Sequence, residues 1–469
     1  MAKEKKRKGK TRKGAADTQS DRQRKVQLVP TVEFLHENLS QALCDEVFKD
    51  VRTTERQRKW SLFLLARFWL LVILTAPQSL TQLLERTRRG DPRGFLPEIE
   101  ASSESFFQRC RDLSSGFFMA LHARFIELVV PKAPKRYCQE LAHLMKKFSD
   151  VVVIDGSRLD RIARRLKILR AEKGVVLPGC LLAVYDLFRG IATQLWFEVD
   201  AAAAEFTRAL TAIDCLREGT LVLADRLYCS VQVFRGLQEN GCFGLIRYAK
   251  STSIRKVRRL SRTRSERGLI EDWLVEAGRK GASMDLRLIV LKSGGKTYRA
   301  LTNDMDPSHL SAEDIVALYP MRWTVERLFF QLKVVLNLKK LHAANPNAVA
   351  MQVYAAAMVH VAFRIAQADI AQKLDLDPEE LSPQKLFPLL ALTSIKLLEA
   401  EFIFEATCMA NPRVKLKKPS WRNLPGTVAS LHHLRVQKRS GVRRKPGYHK
   451  ERAKWKSITQ IRGGNRFRN

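Results

Sequence analysis

Between residues 32 and 130 apolar positions recur every three or four residues. This spacing predicts helices over 32–49, 54–76, 80–88 and 104–130, separated by proline or polar breaks. The period then changes. Asp150-Val-Val-Val-Ile-Asp155 is a β-branched run closing on an acid, which predicts a buried strand. Strands are predicted next over 179–187 and 190–199, joined near Arg189-Gly190, then a helix over 201–215. Thr220-Leu-Val-Leu-Ala-Asp225 is a second apolar strand closing on an acid. A helix over 228–239, stopped by Asn240-Gly241, and a strand over 242–249 follow. Strand-like pieces at 285–291 and 298–302 make 250–305 a mostly β insertion, and 347–405 returns to helix. The alternation of strand and helix predicts an α/β fold flanked by helical regions.

Within Tyr-Pro-Met-Arg-Trp-Thr-Val-Glu-Arg-Leu-Phe-Phe-Gln-Leu-Lys, the residues Tyr319, Arg322, Glu326 and Lys333 sit at offsets that project to roughly 0°, 300°, 340° and 320° on a helix. They would share one stripe about 60° wide, as a surface built around phosphate and a metal ion requires. Val325, Leu328, Phe329, Leu332, Val335 and Leu336 fall on a neighbouring face that would hold the helix to a core. Pro320 is expected to open this helix and to leave Tyr319 at its boundary, because a residue before proline avoids the α region. Alone, the pattern equally describes an amphipathic helix with a polar face.

Charge changes the picture. The 469 residues carry a formal net charge of +35, which implies a polyanionic partner, with nucleic acid as the default. Residues 1–25 hold eleven Lys/Arg against three acids, and 411–469 hold eighteen against one. Both ends are poor in apolar periodicity and are expected to be largely disordered arms. A third basic run, Arg255-Lys-Val-Arg-Arg-Leu-Ser-Arg-Thr-Arg264, lies inside the folded region. It is either a solvated loop or a contact to a DNA backbone. The eight cysteines are scattered without CxxC spacing, and the nine histidines are as dispersed, which argues against zinc and for reduced thiols. No apolar stretch follows the basic start, so no secretory signal is expected. Residues 60–76 are strongly apolar but short and interrupted by Arg67, so a buried helix is expected and no membrane span.

Two strands end in Asp155 and Asp225, and the striped helix presents Glu326. Strand ends of one open sheet converge at its carboxyl edge, and a helix across that edge would add its glutamate. Three carboxylates without cysteine or histidine make an oxygen site suited to Mg²⁺ or Mn²⁺. Two such ions about 4 Å apart can activate an attacking oxygen and stabilise a leaving one at a phosphodiester. Either aspartate alone also reads as a strand-end turn residue, and Asp150, Asp160 and Asp186 compete on periodicity.

Asp155-Gly-Ser, Ala224-Asp225-Arg226 and the Tyr319/Arg322/Glu326/Lys333 signature together resemble the DDE transposases of the insertion-sequence-4 group, prokaryotic cut-and-paste enzymes. The resemblance covers roughly 150–345, and Leu301-Thr302-Asn303 fits the strand leaving the β insertion. It implies an RNase H-like mixed sheet with the β insertion placed before the last catalytic helix. The organisation then expected is a basic arm (1–30), a helical region for DNA-end binding (31–149), a core in two parts (150–249 and 306–345) around the insertion (250–305), a helical region (346–410) and a basic tail (411–469).

Asp155, Asp225 and Glu326 match the family's catalytic metal-binding triad for two Mg²⁺ ions, with Mn²⁺ as a substitute. Tyr319, Arg322 and Lys333 match residues that contact DNA phosphates. Tyr298 stands where a relative stacks a tryptophan on a flipped base, although a core tyrosine fits equally. The implied chemistry is hydrolysis of one strand at the transposon end, then attack by the freed 3′-hydroxyl, through a hairpin in cut-and-paste members. The implied partners are double-stranded DNA with terminal inverted repeats and target DNA, held by a dimer in the DNA complex, in a prokaryotic cytoplasm at the nucleoid. Arg158 to Lys173, with seven Lys/Arg, departs from the family pattern and reads as a short amphipathic helix. Two other functions compete: a catalytically silent or domesticated transposase that only holds DNA, and a basic RNA- or ribosome-associated protein, which leaves the ordered acids unexplained.

Overall fold

The computed structural model of the chain describes residues 24–28, 31–51, 58–90, 99, 101–159, 179–199, 205–279, 281–343, 345–411, 417–420, 423–424 and 427–436. The first element is a short strand, β1 (Lys25–Gln27), followed by helices α1 (Thr31–Asn38), α2 (Gln41–Val51), α3 (Leu62–Thr75), α4 (Leu80–Arg88), α5 (Ser103–Asp112) and α6 (Ser115–Val129). Two helices expected as single rods are each broken in two. Ser40 Oγ accepts from the Leu43 amide at 3.1 Å and starts α2, and Ser114 Oγ accepts from the Gly116 amide at 3.2 Å and starts α6. An N-cap serine satisfies amides that have no intrahelical partner, so a new helix begins without interrupting the apolar period. The second break bends the path by 79°.

The strands β2 (Val151–Arg158), β3 (Cys180–Asp186) and β4 (Ile191–Glu198) come next, then α7 (Glu205–Asp214), β5 (Leu221–Ala224), α8 (Val231–Glu239) and β6 (Phe243–Arg247). The insertion supplies β7 (Ile254–Ser265), β8 (Gly268–Ala277), β9 (Met284–Ser293) and β10 (Lys296–Thr302). It does not stand apart from the core. β10 pairs antiparallel with β6, and one nine-stranded sheet results, in the order β4-β3-β2-β5-β6-β10-β9-β8-β7. β2, β3 and β4 are antiparallel neighbours, whereas β5 runs parallel to both β2 and β6.

Successive strand residues point to opposite faces, and the core divides accordingly. Val151, Val153, Leu221, Leu223 and Leu245 belong to a large apolar cluster shared with the long helices. Val152, Ile154, Val222, Ala224 and Ile246 belong to a second cluster with α7 and α8. Arg287 crosses the β8–β9 region fully buried. It donates to Asp272 Oδ2 at 2.6 Å and to the carbonyls of Asp304 and Leu310 at 3.0 and 2.9 Å, which ties the sheet to the segment entering the striped helix.

That segment continues as α9 (Ala312–Leu318), a tight 3₁₀ turn over Tyr319–Trp323, α10 (Thr324–Phe330) and a π-helical turn over Gln331–Val335. Tyr319 stands at the boundary as expected, with Pro320 in the first turn of the 3₁₀ segment, but it is helical, with φ −57° and ψ −37°, and not shifted out of the α region. The missing amide of Pro320 falls in a 3₁₀ turn, where one donor fewer is tolerated.

α11 (Pro346–Lys373) and α12 (Pro383–Ala410) complete the helical layer. α11 is long and apolar enough to cross a membrane, but its apolar window is entirely buried inside the fold. It packs against α1, α3, α5, α6 and β4. A helix that is apolar on all sides belongs in a core. β11 (Val428–Ser430) and α13 (Leu431–Leu434) close the chain. β11 pairs antiparallel with β1, Val26 opposite Ala429, and Val26, Leu28, Leu431 and Leu434 are buried. These parts of the two arms are therefore structured, contrary to the sequence expectation, because each carries two apolar residues that the core covers. The remainder of the amphipathic stretch after Arg158, from residue 160, and most of both arms lie outside the described residues.

Candidate active site

The register of β2 against β5 pairs Ile154 with Ala224. The next residues are Asp155 and Asp225, side by side where the parallel pairing stops. Asp225 follows the end of β5, whereas β2 runs on past Asp155 to Arg158 against β3, so Asp155 lies within its strand and not at its end as expected. Both follow the alternation toward the face of the large cluster, where α10 lies against β2. Val325, Leu328 and Phe329 hold α10 to that cluster and leave Glu326 half-buried, near enough to Asp155 to act on its charge.

Three side chains of the signature fasten this helical segment to the strands. The Tyr319 hydroxyl donates to the Ala224 carbonyl at 3.3 Å, at the end of β5. Arg322 Nη1 donates to Asp155 Oδ2 at 3.1 Å. Lys333 Nζ donates to Ser157 Oγ and the Arg158 carbonyl, both at 2.6 Å, further along β2. Arg322 is only 3% exposed, and its guanidinium also lies 4.5 Å from the centroid of the Trp323 ring. Tyr298, on β10, packs against Tyr319 with ring centroids 4.9 Å apart, and Arg247 flanks it. It is half-buried beside the large cluster and joins the site as a packing neighbour of Tyr319.

The electrostatics are those of crowded, poorly hydrated acids. Burial pushes the Asp155 carboxyl up to about 7; Arg322 opposes this, and Glu326 and Glu205 reinforce it. Burial likewise lifts the Tyr319 phenol to about 12. For Arg322 burial works against the charge, but Tyr319, Asp155 and Asp225 outweigh it and its pKa is raised. Asp225 Oδ1 is buried and has no hydrogen-bond partner among the described residues. A carboxylate oxygen in that position suits a hard cation, and the donor set fits Mg²⁺ or Mn²⁺. Among the described residues, no three acidic, histidine or cysteine side chains stand close enough to enclose a metal. At Asp155 the guanidinium of Arg322 holds Oδ2 instead.

The competing acids have other work. Asp150 pairs with Arg189 at 2.8 Å and Arg217 at 2.6 Å, and buried Asp186 pairs with Arg189 at 2.5 Å, all at the opposite end of β2. Asp160 lies outside the described residues. One acid escaped the sequence reading. Glu205, in the first turn of α7, accepts from the Tyr228 hydroxyl at 2.5 Å. Its carboxyl carbon would lie 2.4 Å from a Cβ on Gly156. The available signals were a glycine directly after Asp155 and a tyrosine three residues after Asp225.

The family model of the transposase DDE domain matches residues 177–362, a span that holds Asp225, Tyr298, Tyr319, Arg322, Glu326 and Lys333 but not Asp155. A putative transposase, y4zB of Sinorhizobium fredii, is 32% identical over 32% of this chain and 44% of its own length. The putative transposase for insertion sequence element IS4SA of Synechocystis is 24% identical over 32% of this chain and 41% of its own. The probable transposase for element IS5377 of Geobacillus stearothermophilus is 28% identical over 31% and 38%. The chain thus spans less than half the length of these relatives. A piggyBac transposase synaptic complex with hairpin DNA, solved by cryo-EM, aligns over 81% of this chain and 80% of its own at 10% identity, with a TM-score of 0.38. The domain match and the three transposase relatives, two of them named for insertion sequence elements, support a DDE transposase.

Proposed function

We propose that the chain is an insertion-sequence transposase of the insertion-sequence-4 group that cleaves transposon ends and transfers them into target DNA by cut-and-paste. The observation that carries this reading is the adjacency of Asp155 and Asp225 on neighbouring parallel strands, beside a segment that carries Glu326 and is fastened at Ala224, Asp155 and Ser157. The strand order β4-β3-β2-β5-β6, three antiparallel neighbours followed by two parallel ones, supports an RNase H-like core. Asp155, Asp225 and Glu326 would hold two Mg²⁺ ions, or Mn²⁺ in their place. Bound there, such ions supply Lewis-acid activation of an attacking hydroxyl and stabilisation of the leaving oxygen.

The chain's own cations do the positioning. Arg322 and Lys333 now hold oxygens at the edge of β2, and both exchange these for scissile-strand phosphates when DNA docks. Tyr319 orients the same edge through Ala224, and Tyr298 offers a π-face beside it. The partners are double-stranded transposon ends with terminal inverted repeats and target DNA, held by a dimer in the bacterial cytoplasm. A hairpin end rests on Tyr319, Arg322 and Lys333, and end cleavage in Mg²⁺ without a hairpin species on denaturing gels counts against it. The test of the function is metal-dependent cleavage of those ends. Equal activity in wild type and Glu326→Gln sinks the assignment and favours a silent transposase that only binds DNA, a reading that leaves the preserved acids unexplained.

The basic run 255–264 is neither a loop nor part of the core. It is the exposed edge strand β7, and charged edges also deter strand-to-strand aggregation. Arg255 pairs with Glu276 and Arg262 with Glu271, and Lys256 and Arg259 lie over the Trp273 ring. Arg258 and Arg264 have no acidic partner among the described residues and are exposed, which suits contact with phosphate. Replacing both by glutamine should lower the slope of log affinity against log salt by about 2 on duplex DNA, at roughly 0.9 per phosphate contact. An unchanged slope in a binding titration would show that this edge does not meet DNA.

A further inference from the structure

Glu205 has no role in the machinery proposed so far, yet its carboxyl lies against Gly156, the residue after Asp155, and its charge acts on Asp155. Asp155 points toward the face of α10. Gly156, the next residue, turns its missing side chain to the opposite face, where α7 packs. Because Gly156 has no Cβ, the Glu205 carboxyl sits directly against the strand, 2.4 to 2.8 Å from where that atom would stand. A side chain at this position would displace the Glu205 carboxyl from the strand. Tyr228 fixes the carboxyl from its far side. Its phenol is 1% exposed and donates to Glu205 Oε1. Tyr228 is itself held to the end of β5, its amide bonding the Asp225 carbonyl at 3.0 Å. A continuous path therefore runs from Asp225 through Tyr228 and Glu205 to Gly156 and Asp155. It links the two aspartates beneath the sheet, as Arg322 and Tyr319 link them above.

We propose that Glu205 and Tyr228 form a positioning pair for the metal site. Glu205 adds a fixed negative charge behind Asp155 without being a ligand, and Tyr228 keeps that charge in place and couples it to the Asp225 turn. This rests on the reading of Asp155, Asp225 and Glu326 as cation ligands. Residues behind metal ligands commonly tune affinity by about 10- to 100-fold. Glu205→Gln preserves shape and can still accept the Tyr228 hydrogen bond, but removes the charge. Tyr228→Phe preserves the ring and removes the bond.

The experiment is calorimetric titration of the full chain with Mn²⁺ in the absence of DNA, alongside thermal unfolding of the metal-free protein. Glu205→Gln is expected to weaken Mn²⁺ binding about tenfold and Tyr228→Phe several-fold, both with cooperative unfolding retained. A purely structural pair would shift unfolding and leave Mn²⁺ affinity alone, which overturns the proposal. If Glu205→Gln does not fold, Tyr228→Phe decides by the same criterion. Asp225→Asn is titrated in parallel. Loss of binding there with unchanged binding in Glu205→Gln and Tyr228→Phe refutes the positioning pair only. Unchanged binding in Asp225→Asn refutes the metal site itself.

Discussion

Replacing Glu326 by glutamine should abolish strand cleavage at the transposon ends, by about a thousandfold or more, with little change in folding. Lewis-acid stabilisation of a phosphodiester transition state is worth several kcal/mol, and each 1.36 kcal/mol is a factor of about ten in rate. Glutamine keeps the length and helix propensity of glutamate. The contacts that hold α10 are made by Val325, Leu328 and Phe329, all at most 2% exposed, and they do not involve residue 326. The loss is therefore one of charge near Asp155. Asp225→Asn should behave alike and adds a second readout. Asp225 Oδ1 is buried without a hydrogen-bond partner, so a bound cation is its natural compensation. A ligand that binds only the folded state raises stability by RT ln(1 + [L]/Kd), about 2.7 kcal/mol at a hundredfold excess. Mg²⁺ should raise the melting temperature of the wild type and leave Asp225→Asn and Glu326→Gln unmoved. Equal melting shifts in all three, together with equal cleavage, would remove the metal site from these residues.

The parts of this arrangement that the sequence made visible are those with a local signature. The two apolar runs followed by acids became adjacent parallel strands, because strands buried on both faces must be apolar on both; Asp225 follows its strand, while β2 continues past Asp155 to Arg158. The apolar stripe 325–336 became the packed face of the segment that carries Arg322, Glu326 and Lys333. What stayed hidden depended on contacts between distant residues or on a single atom. Ser40 and Ser114 break helices through one hydroxyl each, which no hydrophobic period registers. The pairing of Lys25–Gln27 with Val428–Ser430 joins opposite ends of the chain. Neither three-residue strand has enough pattern to announce it. Glu205 looks like an ordinary acid in a first helical turn, where it favours the helix dipole. Only the sheet's two-residue alternation, which turns Gly156 away from Asp155, brings it to the site. Pro320 misled in the other direction. The rule that a proline ends the helix before it is statistical, and here a 3₁₀ turn carries the chain through.

Asp155→Asn should be more stable than the wild type at pH 8, and the gap should close as the pH falls. Burial holds the Asp155 carboxyl at about 7 in the folded protein, against 3.8 when unfolded. Between these values the folded chain keeps a proton that the unfolded chain has released. Stability therefore falls as pH rises through this window. Below about 4 both states are protonated and the residue contributes nothing. Above about 7 the full cost applies, and three pKa units correspond to roughly 4 kcal/mol as an upper figure. The side chain is 15% exposed, so solvent screens little of it. Denaturant unfolding of both proteins from pH 4.5 to 8 isolates this group, because every other titrating residue is common to the two. Saturating Mg²⁺ should narrow the gap at pH 8 and not at pH 5, since a cation favours the ionised carboxylate that burial disfavours. A gap independent of both pH and Mg²⁺ would mean that Arg322 already neutralises Asp155 in full. The ion pair would then be a permanent fixture of the fold, and Asp155 would have no charge left with which to hold a metal.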